Sequence, residues 1–220
     1  MKIDGVIFDM DGLLFDSEAV YQRKWRDVAG ELGIFLPDKF TIEISGTSGQ
    51  RTIDVVQKYF GETVDPQKIR LEVRRRVTKE LMVHVPEKNG LHEILDFFRE
   101  RKVPMAVASS SAMESIEHHL RVTGIREYFS QIACGAQVAL GKPAPDIFLL
   151  AAERLGVPVG NCLVFEDAIN GIRAAVAAGA LPIMIPDQIQ PTDEIRALCF
   201  GVYDNLIAAR DALKKIIDES

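Results

Sequence analysis

The 220-residue sequence predicts an α/β protein, in which a parallel sheet is covered by helices on both faces and an all-helical domain is inserted. Apolar runs of strand length recur along the chain without the polar alternation that marks a sheet with one face in water. Amphipathic helical segments separate most of these runs. The third observation is a long stretch, residues 17–85, with helical periodicity and no convincing strand.

The predicted strands begin at Val6–Phe8, an apolar run that ends in Asp9. Alternation of such runs with helices is typical of a Rossmann-like core with three α/β/α layers. The later runs are Val103–Ala108, Gln131–Cys134, Cys162–Phe165, Leu181–Ile185 and a weaker one at Phe200–Tyr203.

The helices between these strands carry recognisable start and stop signals. Ser111 lies three residues before Glu114, the spacing of a capping box, so we expect Ser111 to cap the next helix. Pro145 occupies a plausible first helical position. A small-residue helix is predicted over Ile169–Ala178, ending at Gly179.

The insertion contains three predicted amphipathic helices. Their apolar faces span Tyr21–Leu32, Ile53–Phe60 and Ile69–Leu81. We therefore expect a Rossmann-like core of residues 1–16 and 86–220, and an inserted helical domain of residues 17–85, called the cap below.

Composition restricts the possible partners. The formal net charge of −6 argues against a nucleic-acid binder, because binding the phosphate backbone requires clustered Lys and Arg. Three widely spaced cysteines favour unpaired thiols in a reducing compartment. The sequence shows neither a membrane-spanning stretch nor a signal-peptide layout, so we expect a cytoplasmic protein without membrane partners, acting as a monomer or at most a weak dimer.

Polar residues follow several of the predicted strands, where ligands bind in parallel α/β sheets. We expect these residues to meet at one edge of the sheet. They are Asp9 and Asp11 after the first strand, Ser109, Ser110 and Ser111 after the second, Glu166 and Asp167 after the fourth, and Lys142 ahead of the Pro145 helix.

This set of residues fits phosphoryl transfer. Carboxylates without His or Cys ligands suit a hard cation such as Mg²⁺. Lys142 and Ser109 would stabilise the phosphoryl oxygens. Asp9 would attack phosphorus, and Asp11 would protonate the leaving oxygen and later activate water.

Four segments resemble the motifs of the haloacid dehalogenase superfamily, in its beta-phosphoglucomutase-like branch with a helical cap. They are "DMDGLLFDSE", "ASSS", "GKPAPDIF" and "FEDAINGIRAAVAAG", in this order along the chain.

The resemblance implies an aspartyl-phosphate on Asp9, acid–base catalysis by Asp11, and Ser109 and Lys142 on the phosphoryl group. Ser110 is a further candidate for binding the substrate. It also implies Mg²⁺ bound by Asp9, the Asp11 carbonyl and Asp167, with Glu166 binding directly or through water. The chain departs from the family at Ala136–Gln137, where relatives often carry an acid that supports the Lys142 loop.

The resemblance leaves the reaction open between hydrolysis and isomerisation. Asp11 excludes a dehalogenase, which has no leaving oxygen to protonate. Tyr21 and Gly49 stand where a similar mutase would have His and Arg, which favours a phosphatase over a sugar-phosphate mutase. A non-catalytic module that binds phosphorylated ligands is the third alternative.

The expected substrate is a small phosphorylated metabolite, either a sugar phosphate or a nucleoside monophosphate. In this branch the Gly-rich bend at Ile44–Arg51 of the cap faces the site, so Gln50 and Arg51 are candidates for contacting the non-reacting part of the substrate.

Overall fold

The computed structural model describes residues 2–45, 47 and 49–218, and it divides into two compact units. The first comprises Met1–Phe15 and Pro86–Ser220, and the second comprises Asp16–Val85. The first segment of the core ends at Phe15 in the structure, one residue before its predicted end at residue 16.

The first unit is built on a six-stranded parallel sheet with the order β3-β2-β1-β4-β5-β6. The parallel pairing and the helices between successive strands confirm the α/β class, because parallel strands need a crossover connection. The strands are β1 (Gly5–Phe8), β2 (Met105–Ser109), β3 (Gln131–Cys134), β4 (Cys162–Glu166), β5 (Leu181–Met184) and β6 (Gly201–Val202).

The helices of this unit cover both faces of the sheet. Ile7 packs with Phe148 and Ala174, which come from helices on one face. The next residue along β1, Phe8, points the other way, stacking on Phe165 at 4.8 Å between ring centroids and meeting Phe98 edge-on. The helices are α5 (Leu91–Glu100), α6 (Met113–Val122), α7 (Asp146–Leu155), α8 (Ile169–Ala178), α9 (Asp193–Leu198) and α10 (Leu206–Asp218).

Two strands extend one residue further than the apolar runs predict. Strand β2 includes Ser109 and strand β4 includes Glu166, so both polar side chains belong to the last residue of a strand and are almost fully buried. The main chain just beyond β1 is also fixed, because the Asp9 amide donates to the Phe165 carbonyl at 3.0 Å. The site residues therefore stand on rigid backbone.

The second unit is helical, as predicted, with α1 (Ser17–Glu31), α2 (Asp38–Ile44), α3 (Gly49–Phe60) and α4 (Pro66–Leu81). Helix α2 was not expected, because seven residues are too few for a periodic pattern. Trp25 lies edge-on to Phe40 and Phe60 at the centre of this unit. Of the bend at 44–51, Gly46 and Ser48 lie outside the described residues.

Helix α6 begins without the predicted capping box. Ala112 is the N-cap residue, no side chain caps the helix, and the first helical residue is Met113. The Ser111 hydroxyl instead bonds to Asp11.

No helix in the described ranges is both long enough and apolar enough to cross a bilayer.

Candidate active site

Three neighbouring strands bring the predicted site residues to one edge of the sheet. Strand β1 lies between β2 and β4, so Asp9, Ser109 and Glu166 stand side by side at the carboxyl ends. All three residues are buried. The first unit thus places an acid, a hydroxyl and a second acid where the sequence predicts a site.

Lys142 provides the positive charge at this edge. Its ammonium contacts Asp9 Oδ1 at 2.5 Å, forms an ion pair with Glu166, and donates to the Ala108 carbonyl at 3.3 Å. Burial opposes the charged form, but the two carboxylates outweigh it and hold the pKa of Lys142 above its ordinary value. The lysine is therefore a fixed cation at neutral pH.

The acids outnumber this cation. One oxygen from each of Asp9, Glu166 and Asp167 lies within 4.8 Å of the others. Burial, followed by the neighbouring carboxylates of Glu166 and Asp11, raises the pKa of Asp9 to about 7 despite Lys142. Burial and Glu166 likewise hold the pKa of Asp167 well above its ordinary range. The three acids are only partly balanced by the single ammonium of Lys142, and their hard oxygen donors fit a divalent cation.

Two glycines leave the space that these carboxylates occupy. A Cβ on Gly12 would lie 2.3 Å from Asp167 Oδ2, and Gly12 has φ +89°, which disfavours any side chain. A Cβ on Gly171 would lie 1.9 Å from the carboxyl carbon of Glu166. Both carboxylates are thus held against bare backbone.

Glu166 already has partners for both oxygens. Oε1 faces Lys142, and Oε2 accepts the amides of Asp167 at 3.2 Å and Ala168 at 3.1 Å. This arrangement suits Glu166 to holding Lys142 in place, and it leaves less of the carboxylate for direct metal binding.

Gly171→Ala should disrupt this arrangement. The new methyl group would displace the Glu166 carboxylate from Lys142 and from the two amides, so we expect a loss of about 2–4 kcal/mol of unfolding free energy and most of the activity. Thermal and urea unfolding measure the first effect. Gly30→Ala is the matched control, because Gly30 lies in helix α1 with open space around its Cβ position and should gain about 0.5–1 kcal/mol. Equal behaviour of the two variants would contradict the prediction.

Asp167→Asn should stabilise the metal-free protein. The raised pKa of Asp167 means that its ionisation opposes folding, and this penalty increases as the pH rises through the folded-state pKa. In EDTA at pH 8 we expect Tm to rise by about 2–4 °C, with the gain shrinking at acidic pH. With Mg²⁺ the order should reverse, because only the wild type keeps the full carboxylate set. A lower Tm for the variant in EDTA would count against this charge balance.

The Asp11 carboxylate accepts hydrogen bonds from two serine hydroxyls. Its Oδ2 accepts from Ser111 Oγ at 2.7 Å and from Ser109 Oγ at 3.4 Å. The carboxylate is therefore held by hydroxyls, and both its acid–base role and a metal contact through the Asp11 main-chain carbonyl stay predictions. Ser110, predicted to contact substrate, is exposed at the end of β2.

The predicted cap residues lie on helix α3 of the helical unit. Gln50 and Arg51 are exposed, and Gln50 donates to Asp54 at 2.8 Å. This unit has a cavity of about 370 Å³, whose described lining includes Gly49 and Thr52, the neighbours of that pair, together with Glu18, Tyr21 and Arg70. The roles of Gln50 and Arg51 in substrate binding stay predictions.

The sequence does not predict how two residues contribute to the site. Ser111 is expected at this edge, but as a helix cap and not as a partner of Asp11, and Gly171 is expected only as part of a small-residue helix. Neither carries a local signal for its role, because their partners Asp11 and Glu166 are reached only through the fold.

Comparison with known proteins gives a consistent assignment. Residues 3–179 match the haloacid dehalogenase-like hydrolase family. The fructose-1-phosphate phosphatase YqaB of Escherichia coli K12 is 36% identical over 175 residues, covering 80% of this chain and 92% of that protein. The "Probable pseudouridine-5'-phosphatase" of Drosophila melanogaster is 34% identical over 194 residues, covering 84% and 83%.

A solved structure extends the comparison to the fold. The "putative beta-phosphoglucomutase" of Thermotoga maritima superposes with a TM-score of 0.81 at 25% identity, covering 97% of this chain and all of that one. The family match covers most of the chain, including the four motifs and the helical insertion. The protein therefore belongs to the haloacid dehalogenase-like hydrolases, in their beta-phosphoglucomutase-like branch.

Proposed function

We propose that this enzyme is a Mg²⁺-dependent phosphatase that hydrolyses a small phosphorylated sugar or nucleoside monophosphate through an aspartyl-phosphate on Asp9. The observation that carries the proposal is the buried Asp9 carboxylate, held at 2.5 Å by a fixed Lys142 ammonium beside two further acids. The similar proteins from Escherichia coli and Drosophila, whose names give fructose 1-phosphate and pseudouridine 5'-phosphate as substrates, support both the reaction and the substrate class.

The first half-reaction transfers the phosphoryl group to the protein. A carboxylate oxygen of Asp9 attacks phosphorus, while the Lys142 ammonium and the Ser109 hydroxyl stabilise the charge on the phosphoryl oxygens. Asp11, as the carboxylic acid, gives its proton to the leaving oxygen as the P–O bond breaks. The product alcohol then departs.

The second half-reaction releases phosphate. Asp11, now a carboxylate, takes a proton from water, and the water oxygen attacks the phosphorus of the aspartyl-phosphate. Asp9 is regenerated as the leaving carboxylate. Bound Mg²⁺, held by Asp9, Asp167, the Asp11 carbonyl and Glu166, directly or through water, would neutralise charge on the transferring group.

A sugar-phosphate mutase is the alternative within the same fold. It would need groups that bind a bisphosphate, and Tyr21 and Gly49 stand where similar mutases have His and Arg. Water is therefore the proposed acceptor in place of a second sugar hydroxyl.

Phosphorus NMR distinguishes these reactions. Fructose 1-phosphate, pseudouridine 5'-phosphate and glucose 1-phosphate are incubated with the enzyme and Mg²⁺, with and without excess EDTA, and with glucose 1,6-bisphosphate in parallel. We expect Mg²⁺-dependent inorganic phosphate. Faster formation of glucose 6-phosphate than of phosphate would instead identify a mutase. Tight binding of sugar phosphates without any turnover would identify a binding module.

A further inference from the structure

The Ser111 hydroxyl has a specific partner within the catalytic edge of the sheet. It donates to Asp11 Oδ2 at 2.7 Å, across 100 positions of sequence. The same residue could have capped helix α6, but that helix begins at Met113 without any side-chain cap. In the structure this hydroxyl bonds to Asp11, and no side chain caps the helix.

Ser109 contacts the same oxygen of Asp11 less closely. Its Oγ donates at 3.4 Å, near the limit of a hydrogen bond, and also accepts the Ser111 amide at 3.0 Å. A serine hydroxyl has a single proton to donate, and the proposed mechanism uses that of Ser109 on the phosphoryl group. Ser111 therefore provides the shorter of these two hydroxyl contacts and the one that can persist during phosphoryl transfer.

We propose that Ser111 is a positioning residue for Asp11, which holds the carboxyl group in line with the leaving oxygen during proton transfer. The inference rests on the proposed function, because it takes Asp11 as the acid and base. A residue that fixes the acid acts only on steps in which a proton moves.

The hydroxyl suits an acid that alternates between two protonation states. Ser111 Oγ can donate to Asp11 as a carboxylate and, by rotating, accept from Asp11 as a carboxylic acid. A backbone amide or a lysine could only donate, and would favour the carboxylate throughout the cycle. Ser111 can thus hold the same side chain in both half-reactions.

A purely structural role predicts a different pattern of kinetic effects. Ser111 could simply anchor the loop after β1, where Asp11 also forms a bridge to Phe15. Loss of an anchor would slow all substrates alike, because it would disturb Asp9 and the metal site as well. Loss of a positioning contact on the acid should slow only substrates whose leaving group needs a proton.

The test compares two aryl phosphates that differ in this need. 4-Nitrophenolate leaves without a proton, whereas phenolate is far more basic and benefits from one. Ser111→Ala should lower kcat/KM for phenyl phosphate by about 10- to 100-fold and for 4-nitrophenyl phosphate by less than about 3-fold. The ratio kcat/KM is used because it reports the steps up to transfer onto Asp9.

Three further variants complete the experiment. Ser111→Thr keeps the hydroxyl and should restore phenyl phosphate turnover to within about 3-fold of wild type. Ser115→Ala, the same change on the exposed face of helix α6, should leave both substrates unchanged. Asp11→Asn should show the same leaving-group dependence as Ser111→Ala, with a larger loss.

The outcomes distinguish a failure of the inference from a failure of the proposed function. If Asp11→Asn shows the leaving-group dependence but Ser111→Ala slows both substrates equally, or neither, the positioning role is wrong and the phosphatase assignment stands. If Asp11→Asn shows no such dependence, the acid–base role of Asp11 and the inference fail together, whereas phosphate release from sugar phosphates still decides the phosphatase assignment.

Discussion

Asp9→Asn is expected to lower kcat/KM for phosphate release by at least about 10⁴-fold while leaving the protein folded. Asparagine keeps the size and shape of the side chain but cannot form an acyl-phosphate. The fold should tolerate the change because Lys142 retains its ion pair with Glu166 and its bond to the Ala108 carbonyl. Phosphate release and thermal unfolding, measured on the same preparation, report the two effects separately.

A covalent trap makes the Asp9 prediction more specific. In acid-quenched single-turnover reactions with ³²P-labelled substrate, the wild type should carry hydroxylamine-sensitive label and Asp9→Asn none. Asp4→Asn is the matched control, since Asp4 precedes β1 at the opposite end of the strand and bonds to Asn161 at 2.7 Å. Its turnover should stay within about 2-fold of wild type, as expected for a surface polar contact. Label on the Asn variant would refute the nucleophile assignment.

Much of the fold and site could be predicted because the relevant signals are local. The three strands that carry the site, β1, β2 and β4, contain uninterrupted apolar runs, and the polar residue after each run is its sequence neighbour, as with Phe8 and Asp9. The rule that parallel strands share a carboxyl edge then places these residues together. Strand ends were still underestimated, because Ser109 and Glu166 are polar and yet pair in the ladder as fully as the apolar residues before them.

What could not be predicted depends on distant partners. The Ser111–Glu114 spacing is a sound local signal for a cap, but the hydroxyl donates instead to the partly buried carboxylate of Asp11, 100 positions away. A hydrogen bond to a carboxylate is stronger than one to a neutral backbone amide. The outcome follows from physical chemistry, but only once the fold has brought Asp11 near.

Gln137, where the chain departs from the family, also has a role that depends on a distant partner. Sequence comparison with the family left the support of the Lys142 loop open, because an amide stands where relatives often carry an acid. In the structure Gln137 Oε1 accepts from the Cys134 amide at 3.1 Å and from Arg154 at 2.9 Å. The amide oxygen therefore ties the loop to the end of β3 and to helix α7, a role that depends on Arg154 being close.

Lys142→Met is expected to affect stability and activity together. It removes the cation from a buried cluster of three acids, and an uncompensated buried charge costs about 3–5 kcal/mol, which corresponds to a fall of at least about 6 °C in Tm. Activity should fall at least about 10³-fold, because the phosphoryl oxygens lose their ammonium partner. Lys39→Met, at an exposed lysine of helix α2, is the control and should change unfolding free energy by less than about 1 kcal/mol.

The pH dependence and a double variant identify the cause of this destabilisation. Without the ammonium, the pKa values of Asp9 and Asp167 should rise further, so the variant should lose stability as pH increases from 5 to 8, the direction set by acids whose folded pKa is raised. Adding Asp9→Asn removes one of the repelling charges and should recover part of the loss in a double-mutant cycle, without restoring activity.

Lys142→Arg keeps the charge but spreads it over a planar guanidinium too large for the position between Asp9 and Glu166, so we expect partial recovery of Tm and little of the rate. A destabilisation that is independent of pH and unchanged by Asp9→Asn would mean that Lys142 acts by packing, and would remove the electrostatic basis of the site.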